Sequence, residues 1–369
     1  MITLKSTYPI GIDIGQHHIY AAQFKNTREG MVVSGLWQTR LNGEFDDPDN
    51  SSNVMVHLFR EVARHNGFRG KKAVIHLPSQ KNFTFPIRFQ VGAGEDLETL
   101  IVHESEKYLP FPADAAVIDY PSISQLSADG PDKYAATIVA SHREDTEQYI
   151  TMLKEAGLQA EVMEFSVSAL LRLHHQLFNP SLNPIFIGNI GHSESQLTIV
   201  TRDEILAQRH IAWGIQGIVD QIHTNFEHIG DDDKAWILLQ QYGLRHEDRE
   251  QSDSSLDFGD NPEKERMLKV FYQIISPHIE ELILECHKII AYVRSEISNP
   301  NFDAIYLYGL SNIIGNLDAY IEKRLQIPTR LVSPLRDGIG RSDGIVAGAS
   351  EGAEFALALG LAMRKVTWP

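Results

Sequence analysis

The chain has 369 residues, and 33 Lys and Arg against 49 Asp and Glu give it a net charge of −16. Hydrophobic residues make up 43% and charged residues 22%, which excludes a disordered or fibrous protein, and the length predicts two or three domains. The acidic balance argues against a general nucleic-acid binder, because the densest basic run is only Arg69-Gly70-Lys71-Lys72.

Cysteine content and hydropathy indicate the compartment. The single cysteine, Cys286, excludes an internal disulfide framework and a multi-cysteine metal site. The first residues lack the cationic head and apolar core of a signal peptide, and no apolar run reaches the roughly 18 residues of a membrane span. We therefore expect a cytoplasmic protein whose link to any membrane runs through a partner.

Hydrophobic alternation predicts a three-stranded meander near the N-terminus. Its first strand ends in Gly11-Ile12-Asp13-Ile14-Gly15 and is followed by a turn at Gln16-His17. The elements predicted here are strands over 10–15, 18–24 and 31–41, a helical pattern over 54–62 and a strand over 73–77.

The same order recurs about 175 residues later. The stretch 185–191 ends in Gly188-Asn189-Ile190-Gly191, a turn follows at 192–194, and further strands are predicted over 196–201 and 205–211. One strand-turn-strand unit with glycine is weak evidence, since glycine is common at turns. Two three-stranded copies that share [D/N]-I-G at the first turn predict duplicated α/β domains that face one another.

The remaining segments predict an inserted unit and a helix-rich C-terminal half. A helix over 97–108, strands over 116–120 and 134–140, and a helix over 145–156 form a segment large enough to be an inserted subdomain. The polar stretch 243–262 predicts a loop, and the long helical stretch 263–297 contains Pro277, which should split or kink it. The last predicted elements are a strand over 304–308 and helices over 314–325 and 353–364.

Glycine-rich turns between strands can hold phosphate, because successive backbone N–H groups point inward and no Cβ blocks the approach. Asp13 beside the first turn could hold Mg²⁺ through water, whereas the second turn has the neutral Asn189 at that place. The alternative interpretation is two tight hairpins without a ligand, and the pattern alone does not decide between them.

One segment carries a family-specific string. His103-Glu104-Ser105-Glu106-Lys107-Tyr108-Leu109-Pro110-Phe111-Pro112, followed by Ile118-Asp119-Tyr120, resembles the E-x-E-K-Y-[IL]-P-F-P … D-Y segment of PilM-type type IV pilus assembly proteins. This family belongs to the actin-like ATPase superfamily and is related to the division protein FtsA. The resemblance extends over the whole chain, including the strand and turn at 305–309 and the closing helix at 356–364.

The resemblance implies an α/β, actin-like fold with ribonuclease H-like duplicated domains and an inserted subdomain of the FtsA/PilM type. The implied units are a first actin-like subdomain (1–84 and 158–184), the inserted subdomain (85–157), a second actin-like subdomain (185–220 and 302–369) and a helical insertion (221–301).

The resemblance also implies a nucleotide cleft, but this chain departs from the family there. The positions that correspond to the cleft are Asp13, Gly15, Gln16, Tyr20, Asn189, Gly191, Trp236 and Gly309. Tyr20 stands where the family has Lys, Asn189 replaces a second Asp, Trp236 and Leu239 replace a Glu and Lys pair, and Leu310 replaces a Gly. We expect an impaired site and no bound cofactor, with ATP and Mg²⁺ as ligands only if the cleft is intact.

If the nucleotide site is impaired, we expect the protein to function through surfaces that bind partner proteins. The resemblance implies a peripheral position at the cytoplasmic face of the inner membrane, where such proteins bind the extended N-terminal tail of a PilN-type membrane protein. The tail lies between the first actin-like subdomain and the inserted one. Our candidates for the groove wall are Glu104, Tyr108, Leu109, Pro110, Phe111 and Pro112. Other platform proteins are further expected partners, nucleic acid is not, and self-association is left open.

A related secretion system is an alternative to the pilus as the assembly that such a protein serves, and three rival functions remain. The first is an active Mg-ATP-dependent ATPase that regulates pilus assembly, and the second is a sugar-kinase-like phosphotransferase, for which no second acidic base is evident. The third is an FtsA-type filament protein, although residues 364–369 are too short for an amphipathic membrane anchor.

Other conspicuous residues have structural interpretations. The sixteen histidines include adjacent pairs that cannot chelate one ion by themselves, so we interpret them as structural or surface residues. Asp231-Asp232-Asp233 precedes an apolar helix and suits the positive end of its dipole, and Cys286 suits a helix core.

Overall fold

The computed structural model describes residues 8–28, 30–41, 48–92, 94–126, 132–179, 181–202, 204–226, 229–245, 262–297, 300–345 and 351–365. The strands are β1 (Ile10–Ile14), β2 (His18–Thr27), β3 (Gly30–Arg40), β4 (Lys72–His76), β5 (Phe83–Gln90), β6 (Ala116–Gln125), β7 (Lys133–His142), β8 (Gln159–Met163), β9 (Ile185–Ile190), β10 (Ser195–Val200), β11 (Ile205–Ile211), β12 (Ile305–Gly309), β13 (Thr329–Leu331) and β14 (Gly340–Arg341). The α-helices are α1 (Pro48–Arg64), α2 (Leu97–Ser105), α3 (Arg143–Glu155), α4 (Ser166–Leu177), α5 (Ile215–Asn225), α6 (Asp232–Gln241), α7 (Pro262–Glu296), α8 (Leu317–Leu325) and α9 (Ala356–Ala362). Short 3₁₀ turns lie at Ser79–Lys81, Ala113–Ala115, Leu310–Ile313 and Ala353–Phe355.

Two larger sheets contain the predicted meanders. The first has six strands in the order β14-β3-β2-β1-β4-β8, with β1, β2 and β3 antiparallel and β4 parallel to β1. The second has five strands in the order β11-β10-β9-β12-β13, again with an antiparallel meander and a parallel strand beside its first member. This repeated order confirms the duplicated α/β architecture that the alternation predicted.

The closing helix α9 packs deep against the first sheet. All seven residues from Ala356 to Ala362 are buried, and the helix contacts β1, β2 and α4. This approach requires glycine on both sides. A Cβ at Gly11 would lie 2.1 Å from the carbonyl oxygen of Ala358, and one at Gly360 would lie 2.2 Å from that of Ala169. Gly11, the first glycine of the stretch 11–15, is therefore a packing residue.

The inserted segment has a sheet and core of its own. Its three strands follow the order β5-β7-β6, with β7 in the centre, and both pairs are antiparallel. The side chains of Ile87, Ile101 and Ile138 form its core, apart from the cores of the larger sheets. Two elements of the C-terminal half, β14 and α9, pair with or pack on the first sheet. The residue limits of the four implied subdomains stay a prediction.

Several local predictions need correction or completion. The long helix α7 is continuous through Pro277, so splitting is wrong; Ile275 and Ile279 on either side of the proline are fully buried, and this packing holds the two parts together. The helix α2 ends at Ser105 and not at 108. Most of the predicted polar loop, residues 246–261, lies outside the described residues. Strands β5, β8, β13 and β14 and helices α4 and α5 were not predicted.

Two capping and packing predictions agree with the structure. The Asp231 carboxylate accepts the backbone N–H of Asp233 at 3.0 Å and so caps α6. Cys286 is 2% exposed among apolar residues of α7, and burial raises the pKa of its thiol to about 12. At neutral pH this cysteine is therefore a protonated core residue.

Candidate functional site: a cleft between two glycine turns

The structure brings the predicted cleft residues together. Seven of them line one cavity of about 150 Å³ between the two large sheets: Asp13, Gly15, Gln16, Tyr20, Asn189, Gly191 and Gly309. Trp236 lines an adjoining cavity of about 640 Å³, which shares His18, Tyr20 and Leu310 with the first. We call them the inner cavity and the outer cavity. Whether they hold a nucleotide stays a prediction.

Hairpin geometry alone accounts for the glycines at the two turns. The backbone N–H of Gly15 donates to the carbonyl oxygen of His18 at 2.9 Å, and a Cβ at Gly15 would lie 3.0 Å from that oxygen. At the second turn, a Cβ at Gly191 would lie 2.2 Å from the carbonyl oxygen of Glu194. Gly191 is therefore needed to close its turn, and a side chain at Gly15 would be crowded, whether or not a phosphate is bound.

The two turns are joined by direct hydrogen bonds across the inner cavity. The Gln16 side chain donates to Oε1 of Glu194 at 2.9 Å, and it accepts the Ser193 hydroxyl at 2.6 Å. Glu194 also accepts the hydroxyl of Ser79 and the side-chain amide of Gln80. A carboxylate and an amide thus lie between the backbone turns that would hold a phosphate. Glu194 was not predicted as a site residue, because no local pattern of residues shows what a hairpin residue contacts across a cleft.

Histidines from both turns pack together beside this bridge. The rings of His17 and His192 have centroids 4.3 Å apart, and those of His18 and His192 are 5.7 Å apart. Burial, followed by neighbouring positive charge, lowers the pKa of His18 and of His192 to about 4. These rings are neutral at pH 7 and supply no charge for a phosphate. Among the residues that the structure describes, no group of three His, Cys, Asp or Glu side chains is placed to hold a metal ion.

Acidic side chains line the inner cavity. Asp13, Glu194 and Glu354 line it, and its described lining includes no Lys or Arg. Burial raises the pKa of Asp13 to about 7, so part of the Asp13 population is protonated at neutral pH. Burial, with Glu354 and Asp13 nearby, raises the pKa of Tyr20, which stays neutral. The electrostatic field of this cavity therefore disfavours a polyanion.

The outer cavity is lined by apolar side chains and by one ion pair. Trp236 and Ile237 from α6 face the 3₁₀ turn that contains Leu310 across this space. At its edge, Nη2 of Arg40 from β3 lies 2.5 Å from Oδ2 of Asp232, so the pair joins the two halves of the molecule. The indole N–H of Trp236 is buried and finds no hydrogen-bond partner among the described residues.

The six residues proposed for partner binding run from α2 into the turn before β6: Glu104, Tyr108, Leu109, Pro110, Phe111 and Pro112. Tyr108 is 55% exposed and stacks on Phe85 at 5.2 Å, while Phe111 meets Phe83 edge-on at 5.4 Å. Leu109 packs against the core of the inserted sheet. These residues therefore cover the end of that core.

A separate groove lies between the first sheet and the inserted sheet. Its volume is about 90 Å³, and Leu77, Val117, Val139, Met163 and Phe165 are among its apolar lining residues. The two strands that flank it, β6 and β8, are edge strands of their respective sheets. None of the six proposed partner residues lines this groove. Sequence reasoning missed it because β8 was not predicted.

Two sheets with the same arrangement of strands on either side of a central cleft are typical of actin-like proteins. A family model described as type IV pilus assembly protein PilM matches residues 11–366, and the chain belongs to this family. A solved PilM–PilN type IV pilus biogenesis complex is similar, with a TM-score of 0.74 and 20% identity over 96% of this chain and 97% of that chain. The ethanolamine utilization protein EutJ from Carboxydothermus hydrogenoformans follows, with a TM-score of 0.53 and 12% identity over 97% of this chain and 90% of that chain. The predicted fold class is thus confirmed.

No helix in the described part of the chain is both long and apolar enough to cross a membrane.

Proposed function

We propose that this chain is a scaffold of the type IV pilus inner-membrane assembly platform that works with weak or no binding of ATP. Its position is cytoplasmic and peripheral at the inner membrane, and its partner is the N-terminal tail of a PilN-type membrane protein. The observation that carries the nucleotide part of this proposal is the Glu194 bridge to Gln16 and Ser79, which joins the two turns across the inner cavity.

The Glu194 bridge opposes a triphosphate in two ways. A bound phosphate has to displace hydrogen bonds that already satisfy the Gln16 and Ser193 side chains. It also meets a fixed negative charge: at an effective dielectric constant of about 20, two unit negative charges about 5 Å apart repel by ~3 kcal/mol. Because the described lining offers no Lys or Arg to offset this repulsion, ATP affinity should fall by about two decades.

The groove between β6 and β8 supports the partner part of the proposal. An extended segment can form main-chain hydrogen bonds with a sheet edge and place alternate side chains in pockets. This groove offers two edge strands and apolar walls that include Val117 and Met163. The segment 108–112 lies on the same subdomain, and we retain it as a second candidate contact for the tail.

Calorimetric titrations test both parts. For the nucleotide, we expect no saturable heat with Mg-ATP up to the millimolar range, for the wild type and for Asp13→Ala alike. For the partner, we expect saturable binding of a synthetic PilN-type N-terminal peptide in the absence of nucleotide. Absence of peptide binding would refute the scaffold proposal.

A matched pair of variants locates the peptide site. Val117 and Ile123 are both on β6 and are 38% and 39% exposed, but only Val117 lines the groove. Val117→Lys should weaken peptide binding about 10- to 100-fold, whereas Ile123→Lys should leave it unchanged. Tyr108→Ala tests the second candidate contact. Equal effects of the two lysine variants would exclude the groove.

An active Mg-ATP-dependent ATPase is the second candidate function. It is favoured by one observation, the position of the Asp13 carboxyl group in the cavity between two intact glycine turns. This alternative predicts micromolar Mg-ATP binding that Asp13→Ala abolishes. That result would replace the nucleotide part of our proposal and leave the peptide measurements unaffected.

A further inference from the structure

Basic side chains gather at the end of the first sheet that lies opposite the cleft. Strand β2 begins at the cleft and runs away from it, with Lys25 near its far end and Arg28 in the turn that follows. The loop between α1 and β4 brings Arg69 and Lys71 to the same end, because β4 runs from there toward the cleft. All four residues are exposed, and we call them the basic end.

The strand register places the two lysines at one level of the sheet. Strand β1 lies between β2 and β4, and its residue Gly11 is opposite Ala22 of β2 and Val74 of β4. Extending this register by three residues toward the far end brings Lys25 and Lys71 level with one another on either side of β1. At the usual spacing of ~4.8 Å between neighbouring strands, their backbones are about 10 Å apart.

The loop that carries Arg69 is held against the sheet by a buried amide. Gln23 is 2% exposed, and its side chain accepts the backbone N–H of Arg69 at 2.6 Å. The same side chain donates to the carbonyl oxygens of Arg69 and Tyr8, each at 2.7 Å. The loop backbone also touches β3, since a Cβ at Gly67 would lie 2.7 Å from the Cα of Gly35. The basic end is therefore a fixed surface.

Described carboxylates do not neutralise these four charges. In the described part of the chain none of the four forms an ion pair, and the Arg69 guanidinium donates instead to two backbone carbonyl oxygens of its own loop, at 2.7 and 2.8 Å. Lys72 is not counted with them, because it pairs with Glu161 at 3.1 Å. With the sequence neighbour Glu29 included, the net charge of this end is +3.

The neighbouring acidic residues are matched by bases, whereas the rest of the chain is acidic. Glu155, the last residue of α3, follows Lys154, and Asp343 beyond β14 is two residues from Arg341. Removing the four residues of the basic end from the 33 Lys and Arg leaves 29 against 49 Asp and Glu, a net charge of −20. The basic end is therefore opposite in charge to the molecule as a whole.

We propose that the basic end binds a membrane surface that contains anionic phospholipid headgroups. Clusters of lysine and arginine bind such surfaces through the phosphate charges of the lipids, and each basic residue beside the membrane strengthens binding about fivefold. The proposal uses neither the PilN-type partner nor the nucleotide cleft, so it does not depend on the proposed function.

A planar anionic surface suits the basic end better than other anions do. None of its four residues lines the inner cavity, the outer cavity or the β6–β8 groove, so none of these concave sites presents them to a small anion. Single-stranded nucleic acid binds through aromatic stacking as well as charge, and the exposed tyrosines of the described chain, Tyr108 and Tyr292, lie on α7 and on the inserted subdomain. A strand that crossed the basic end would also continue along acidic flanks, whereas a plane touches the end alone.

Salt screening allows this contact although the whole chain is acidic. The Debye length is about 10 Å at 0.1 M ionic strength. Strands β1 and β4 have five residues each and so extend about 16 Å from the basic end toward the cleft. Charges in the cleft and in the second sheet therefore lie more than one Debye length from a membrane at the basic end.

Sedimentation with phospholipid vesicles tests the proposal. The full chain, without peptide or nucleotide, is mixed with vesicles of equal parts phosphatidylglycerol and phosphatidylcholine, or with vesicles of phosphatidylcholine alone. We expect binding to the first kind and none to the second. Binding should be weaker at about 0.5 M than at about 0.1 M salt, because salt screens the attraction.

Matched double variants place the binding at the basic end. Lys25→Gln with Lys71→Gln removes two of its charges and should weaken vesicle binding about 25-fold. Lys234→Gln with Lys269→Gln removes the same two units of charge from exposed lysines on α6 and α7, and this control should bind the vesicles as the wild type does. All four lysines are exposed, so both double variants should fold, which circular dichroism checks.

Three outcomes would overturn the proposal. The first is no sedimentation with the phosphatidylglycerol vesicles; in that case, oligonucleotide binding that the Lys25 and Lys71 variant weakens would assign the basic end to nucleic acid. The second is equal weakening by the two double variants. The third is equal sedimentation with vesicles of phosphatidylcholine alone, which would exclude recognition of lipid charge.

Discussion

Replacing Gly11 with alanine should destabilise the protein, although Gly11 belongs to the motif that resembles a phosphate turn. A Cβ at this position would lie 2.1 Å from the carbonyl oxygen of Ala358 and 2.4 Å from the backbone nitrogen of Ala362. Both atoms belong to the backbone of α9 or its end, so no side-chain rotation can relieve the overlap.

The expected magnitude follows from how α9 is held. The helix would have to move by more than about 1 Å to restore ordinary van der Waals contact, yet it is buried on all sides between β1, β2 and α4. Overpacking in such cores costs about 1–3 kcal/mol, and a rigid backbone obstacle places this site at the upper end. With an unfolding entropy of about 2.1 cal/mol/K per residue, 369 residues give ~0.8 kcal/mol/K, so ~3 kcal/mol lowers the melting temperature by about 4 °C.

Thermal unfolding of Gly11→Ala and Gly230→Ala beside the wild type provides the assay. Gly230 is the matched control, because its backbone is not in the left-handed region and a Cβ there would meet no atom within 4 Å. The control should melt at the wild-type temperature or slightly above it, since alanine restricts the unfolded chain. A Gly11→Ala variant that melts within 1 °C of the wild type would refute the packing argument.

Two further predictions concern buried charge. The Glu164 side chain is 1% exposed and pairs with the guanidinium groups of Arg172 and Arg364. Glu164→Gln should therefore lower the free energy of unfolding by about 3 kcal/mol, whereas Glu147→Gln on the exposed face of α3 should leave it unchanged. Equal denaturant midpoints of the two variants would contradict this prediction. Burial holds the pKa of His192 at about 4 against an ordinary 6.5, so protons bind the unfolded chain more readily and stability should fall as pH drops from 6.5 toward 4. The loss should be smaller in His192→Gln, and identical pH profiles of melting temperature would exclude the effect.

The extent of sequence prediction differs between short-range and long-range features. The two meanders were predictable because strand alternation and turn glycines act within about ten residues, as in β1–β2 and β9–β10. The two-residue strand β14 was not, because it pairs with β3 across some 300 positions, with Gly340 opposite Val32. The same holds for β8, whose neighbour β4 lies about 87 positions earlier, with Lys72 opposite Gln159.

The features of the candidate site also differ in whether they depend on local sequence or on tertiary packing. The sequence motif by itself determined that Asp13, Gly15, Asn189 and Gly191 lie at two equivalent hairpins, since tight turns impose glycine locally. Only the tertiary structure decided what lies between those hairpins. Glu194 is an ordinary turn residue in sequence, and it bridges to Gln16 only because two separately folded sheets face each other across the cleft. Contacts between remote surfaces depend on the packing of whole sheets, which no local pattern of residues encodes.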